Sequence, residues 1–336
     1  MDDKTKKLCD DLADYSNTLR RKMIWEADPQ AMAALSGFLC LSQGAVADVD
    51  KYVECRKLLR SKVNIFSEFR GISETIVVTK MMIAGNASEY LEGAMTVYRK
   101  LREVHRLWTS PYMVLTALII YENGGVIKAD ENIEKLESLF KKEQKQHPVL
   151  TSDEDRPFFA ILVTSGLSED AIMEEMEACY NANKKVSALN KDGVHTMAQL
   201  MCLSGKSTEE KTQIVDDYIK GMKASGKRIS KEFGLAGAGS MTMIDLPTDE
   251  LIARTVEIDN YLKTKKGFKW YLTSPKIRCM YDQMILMIDT LNDHNAMNTT
   301  IMSSTMAMVI IQQILMYVII LETIIFMAII SSSRSN

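Results

Sequence analysis

Ser204-Gly205-Lys206-Ser207 ends like a phosphate-binding loop, in which glycine-rich backbone N–H groups and a lysine cradle a nucleotide phosphate. Such a loop needs glycine five positions before Gly205, where this chain has Leu200, and a preceding strand, where Met197-Ala198-Gln199-Leu200-Met201 reads as helix. Gly234-Leu235-Ala236-Gly237-Ala238-Gly239 has the wrong glycine order for a dinucleotide fingerprint, and small residues permitting close helix contact are the better reading. Asp153-Glu154-Asp155 has the charge to hold a divalent cation, yet it stands where a first helical turn favours carboxylates. His105, His147, His195 and His294 lack metal-ligand spacing and a neighbouring nucleophile. Cys9, Cys40, Cys55, Cys179, Cys202 and Cys279 form no C-x-x-C pair and read as free buried thiols. No catalytic residue, cofactor or metal site is therefore expected.

The elements that would position any site are helical. Asp48-Val49-Asp50, Ser88-Glu89, Asp130-Glu131, Ser168-Glu169-Asp170, Thr208-Glu209-Glu210 and Thr248-Asp249-Glu250 each join a capping side chain to first-turn acids. The steps between them are 40, 42, 38, 40 and 40 residues. A second series, Gly71, Ser110, Ser152, Gly193, Gly234 and Ser274, opens apolar segments such as Met113-Val114-Leu115-Thr116-Ala117-Leu118-Ile119-Ile120. The pattern predicts helical hairpins of about 40 residues, an apolar helix followed by an acid-capped amphipathic one. Such hairpins bury their apolar faces only against one another, so the expected fold is all-α, an extended α-solenoid-like stack. Residues 1–27 are read as an N-terminal capping helix, 28–273 as six hairpins, and 274–336 as a C-terminal cap containing an apolar helix at 306–330. The pairs Trp108-Thr109-Ser110-Pro111 and Tyr271-Leu272-Thr273-Ser274-Pro275 are read as packing and caps, and an exposed tryptophan would instead mark a binding hot spot.

Composition is that of a globular chain: 336 residues, 46% hydrophobic, 25% charged, net charge -3. That excludes a small stapled scaffold and a disordered chain, and argues against nucleic acid as a partner. The amphipathic helices begin acidic and end basic, at Lys141, Lys142, Lys184, Lys185, Lys220, Lys223, Lys227, Arg228, Lys263, Lys265 and Lys266. Parallel helices would gather acids along one edge and these bases along the other, either as dipole complementation or as a docking edge for an acidic partner. Residues 306–330 carry only Gln312, Gln313, Glu322 and Thr323 as polar side chains. As a helix they would span about 37 Å, enough for a hydrocarbon core of roughly 30 Å. Because Thr305, Gln312 and Thr323 share one narrow polar seam, the segment also suits a helix buried in protein or shared between copies of the chain.

The Ser168-Glu169-Asp170 cap, the Tyr218-Ile219-Lys220 helix end and Gln312-Gln313 running into a serine-rich tail resemble an uncharacterised family of Gram-positive bacteria, a domain of unknown function. The resemblance covers nearly the whole chain and implies a bacterial cytoplasmic helical protein without an assigned catalytic residue. Members have an alanine-rich tail, whereas this one is rich in isoleucine and methionine, which favours the membrane reading. The N-terminal residues show no secretory signal, and the unpaired cysteines fit a reducing cytoplasm. The leading expectation is a non-enzymatic helical-repeat scaffold that binds an unidentified protein and self-associates through 306–330. A membrane-anchored cytoplasmic adaptor held by that segment is the alternative. An enzyme with a dispersed site is the third class, and acids clustered with a histidine of perturbed titration would mark it.

Overall fold

The computed structural model describes residues 1–23, 28–105, 110–186, 190–230 and 234–291. Among them are fourteen α-helices and no strand, so the all-α class is as expected. In order they are α1 (Asp3–Leu19), α2 (Pro29–Ser42), α3 (Val49–Lys62), α4 (Glu74–Ile83), α5 (Ala87–Val104), α6 (Pro111–Glu122) and α7 (Ala129–Gln146). There follow α8 (Arg156–Thr164), α9 (Glu169–Asn183), α10 (Lys191–Met201), α11 (Thr208–Ala224), α12 (Leu235–Ser240), α13 (Thr248–Leu262) and α14 (Pro275–Leu291).

Local signals place these helices. Asp48, Asn86, Ser168 and Ser207 each cap the first turn of α3, α5, α9 and α11, and Ser207 exchanges hydrogen bonds with Glu210 in a capping box. The cap stands one or two residues before Ser88 and Thr208, because the capping residue is the last non-helical one. Gly85 (φ +80°) and Gly166 (φ +88°) end α4 and α8 in the left-handed region that favours glycine.

The odd- and even-numbered helices differ in burial. In α11 the buried residues Lys211, Val215, Tyr218 and Met222 form a single stripe, as for a helix with one face to solvent. In α6, every residue from Met113 to Ile120 is buried, and in α14 every residue from Arg278 to Asp289. Helices apolar all round must lie inside. Each even-numbered helix packs on the odd-numbered one before it, so the unit is outer then inner, half a hairpin out of phase with the apolar-first order expected from sequence.

The inner helices follow one another by direct contact. Thr79 of α4 donates to Ser36 of α2 (2.7 Å), Lys80 of α4 to Glu122 of α6 (2.7 Å), and Gln199 of α10 to Asp155 beside α8 (2.9 Å). Ser204 after α10 donates to the Thr242 carbonyl after α12 (2.8 Å), and a Cβ on Gly237 of α12 would come 2.1 Å from Gln283 Oε1 of α14. The last step returns to the first: the rings of Phe38 in α2 and Tyr281 in α14 lie 5.1 Å apart. The outer layer closes too. Tyr261 of α13 donates to Asp10 of α1 (3.0 Å) and Asn17 of α1 to the Lys266 carbonyl (2.8 Å), while Thr5 of α1 ties the outer layer to the inner one through Asp289 of α14 (2.7 Å).

Among the described residues the expected extended stack is replaced by a closed double ring of seven outer–inner pairs, in which α1 is an outer member packed on α13 and α14. Closure buries the apolar flanks that an open stack would leave at both ends. Because every pair runs the same way, connections from outer to inner helices gather at one end of the ring and the reverse connections at the other. No described helix is long and apolar enough to cross a membrane.

Candidate functional site

Two groups of side chains stand out. The first is a buried chain of histidines and acids where the C-terminus of α7 meets the starts of α8 and α10. His195 on α10 is 1% exposed; its Nε2 lies 2.8 Å from Glu143 Oε1 and its Nδ1 3.6 Å from Asp155 Oδ1. Burial pushes the imidazole pKa down, but the Asp155 and Glu143 carboxylates outweigh it and raise it to about 9. Glu143 Oε1 stands 4.0 Å from His147 Nε2, which bonds Glu177 Oε2 on α9 at 2.6 Å. Glu177 lines a surface groove of about 490 Å³ with Gln146, Asp170 and Met173. Beside this chain His105 reaches Glu137 (2.7 Å), which also pairs with Arg156, whose guanidinium lies over the Phe140 ring.

Three histidines that are unrelated in sequence spacing are thereby brought together with acids. At neutral pH His195 is a cation whose Nε2–H donates to Glu143, while its Nδ1 faces Asp155 at 3.6 Å with the Gln199 amide nitrogen beside it at 3.3 Å. The arrangement holds a charge in place and offers no free lone pair to a substrate. Among the described residues no group of histidines, cysteines and acids is placed to hold a metal ion.

The second group is the end of the ring where the outer helices finish. Lys141, Lys185, Lys223, Arg228, Lys263 and Lys266 lie there without an ion pair among the described residues, and the head of Lys184 bonds only Asn181 (3.0 Å). Four others are spent locally. Lys142 pairs with Glu169 (2.9 Å), Lys220 with Asp216 (2.5 Å), Lys265 with Asp10 (2.5 Å), and Lys227 with the buried Asp259. The pairs Lys142–Glu169 and Lys100–Asp130 (2.6 Å) join the late part of one outer helix to the first turn of the next. The outer helices are therefore staggered, and part of the acidic edge neutralises part of the basic one instead of standing apart from it.

Large exposed apolar residues are distributed unequally. Phe66 (88%), Trp270 (77%) and Tyr271 (61%), with Ile65, Val104, Val149 and Leu272, all lie at the end where outer helices finish; among the described residues the other end has Val46, Ile127 and Leu167 and no large exposed aromatic. Trp270 is thus not inter-helix packing, as its sequence context suggested, but lies in solvent; Trp108 falls outside the described residues. The loop that carries Trp270 is firmly held. Phe268 is fully buried, with its ring 5.9 Å from that of Tyr281; Thr273 Oγ1 donates to the Gly267 carbonyl (2.9 Å), and Arg278 to the Phe268 carbonyl (3.2 Å).

A family profile described as "Protein of unknown function (DUF4003)" matches residues 15–314. The chain belongs to this family. No curated protein and no solved structure matches it. Lys206 of the loop-like Ser204-Gly205-Lys206-Ser207 donates to the carbonyls of Thr242 (3.1 Å) and Ile244 (3.2 Å), which ties its ammonium to the neighbouring turn and not to a phosphate cradle. Asp155 accepts from the Ser152 N–H (2.8 Å) and Asp153 pairs with Arg156 (2.7 Å), as helix-start carboxylates do. All six cysteines are buried and free. Gln312, Gln313, Glu322 and His294 lie outside the described residues. Sequence reading missed the joining of His147 and His195. The available signals were Glu143–His147 and His195–Gln199, each four residues apart and hence on one helix face.

Proposed function

We propose that this chain is a non-enzymatic helical scaffold whose working surface is the lysine-rich end of the ring. The observation that carries the reading is the loop after α13, which holds Trp270 and Tyr271 in solvent among exposed lysines on a rigid base. A large aromatic costs solvation when exposed, and such side chains are enriched where surfaces meet. The paired helices, read as copies of one unit of about 40 residues, would set the spacing of the basic loop ends around the ring. The buried histidine chain supports a structural role, since His195 bonds Glu143, faces Asp155 and is closed to solvent.

The test is site-specific photo-crosslinking in cells, with a photoreactive amino acid at Lys269 or, at the opposite end, at Ile127. Adducts formed at 269 and not at 127 are expected; equal labelling at both positions, or none at 269, contradicts the reading. Self-association through 306–330 is a separate part of the proposal and rests on the apolar sequence, which carries Gln312, Gln313 and Glu322, with its narrow Thr305, Gln312 and Thr323 seam. Sedimentation of the full chain and of a chain ending before 306 tests it, an unchanged mass ruling it out.

A further inference from the structure

Between Asp259 and Asp282 the chain has no acidic residue, and it carries Lys263, Lys265, Lys266, Lys269, Lys276 and Arg278. Lys265 is spent on Asp10 and Arg278 on Asp259. Lys263, Lys266, Lys269 and Lys276 are exposed, without an ion pair among the described residues, and flank Trp270, Tyr271 and Leu272 in sequence. At the same end of the ring, separate connections present Ile65 with Phe66, and Val149. We propose that this end docks on the surface of an anionic lipid bilayer, with Trp270, Tyr271 and Leu272 entering the headgroup region and the lysines meeting lipid phosphates. The proposal rests on the scaffold reading and names the partner of its working surface.

Three features favour a bilayer over a protein. The apolar tips stand on separate loops, which suits a plane, whereas a protein hot spot is a continuous packed cluster. Tryptophan and tyrosine have an apolar body and a polar edge, the property that concentrates them at membrane interfaces. Lysines lay their stems along apolar surface while the ammonium stays at phosphate level, and each adds to attraction by anionic lipid. The rigid loop lowers the entropy lost on docking.

The experiment is cosedimentation of the full chain with vesicles of phosphatidylcholine alone or with added phosphatidylglycerol, at low and high salt. Two double variants are compared with wild type, Trp270→Ala with Leu272→Ala, and Lys266→Glu with Lys269→Glu; circular dichroism confirms that each remains helical. Binding to the anionic vesicles that weakens at least about tenfold on neutral vesicles, at high salt and in the lysine variant is expected. The aromatic variant should also bind more weakly. Failure to bind anionic vesicles overturns the proposal, and photo-crosslinks to a protein at Lys269 would then leave the scaffold reading intact with an acidic protein as partner. Binding that is equal on neutral vesicles and indifferent to both variants also overturns it, and assigns membrane affinity to residues 306–330.

Discussion

Replacing His195 by glutamine removes the cation that Glu143 and Asp155 surround. The imidazole pKa is raised from 6.5 to about 9, and each tenfold gain in proton affinity is worth about 1.36 kcal/mol, so protonation stabilises the fold by on the order of 3 kcal/mol. Because the folded value lies above the unfolded one, that stability is fully present below about pH 6.5 and is lost as pH rises through about 9. The variant also leaves two buried carboxylates facing each other, a change that costs about 3–5 kcal/mol where a buried pair is broken. At roughly 2 °C per kcal/mol for a chain of this size, His195→Gln should melt about 6–10 °C below wild type near pH 6. Melting both proteins by circular dichroism from about pH 6 to 10 checks this, since titrations remote from His195 cancel in the difference. A variant that melts with wild type near pH 6, or a gap that does not narrow as pH rises through 9, would refute the reasoning.

Asp282 is wholly buried and neither carboxylate oxygen meets a hydrogen-bond donor among the described residues; burial, and then the nearby Asp259, push its pKa well above the ordinary range. The folded state prefers it protonated, a preference that becomes a cost as pH rises above the unfolded value, so Asp282→Asn should stabilise the protein by at least about 1 kcal/mol at neutral pH and not below about pH 4. A thermal melt that shows no gain at pH 7 counts against it. Gly237→Leu drives a side chain into Gln283 between α12 and α14 and should destabilise by about 1–3 kcal/mol, read from a urea titration. Asp289→Ala removes the bonds to Thr5 and Arg254 at the closure of the ring, and amide exchange in α1 should speed up more than in α7; uniform exchange would contradict closure at this point.

The inner helices were legible because segments such as Met113–Ile120 leave no polar face for solvent, and the starts of α3 and α9 because Asp48 and Ser168 are caps. The phase of pairing was not. Caps and apolar runs recur with similar spacing whichever helix is counted first, and only contacts decide. Closure was equally hidden, since Thr5 and Asp289 are 284 residues apart and neither carries a local signal. Charge was half legible: Lys141 and Lys266 have no ion pair among the described residues at the basic end, while Lys142 is taken by Glu169 of the next outer helix because of a stagger that sequence spacing does not encode.

The most direct test of the closed ring is the distance between spin labels at the exposed positions Asp14 on α1 and Lys263 after α13, measured by double electron–electron resonance. With Asp10 bonded to Lys265, the labels should lie within about 25 Å, against about 50–60 Å if seven pairs at roughly 8–10 Å spacing formed an open stack. A single short distance supports the ring that gathers the lysines and Trp270 at one end; a distribution centred near the long value contradicts it.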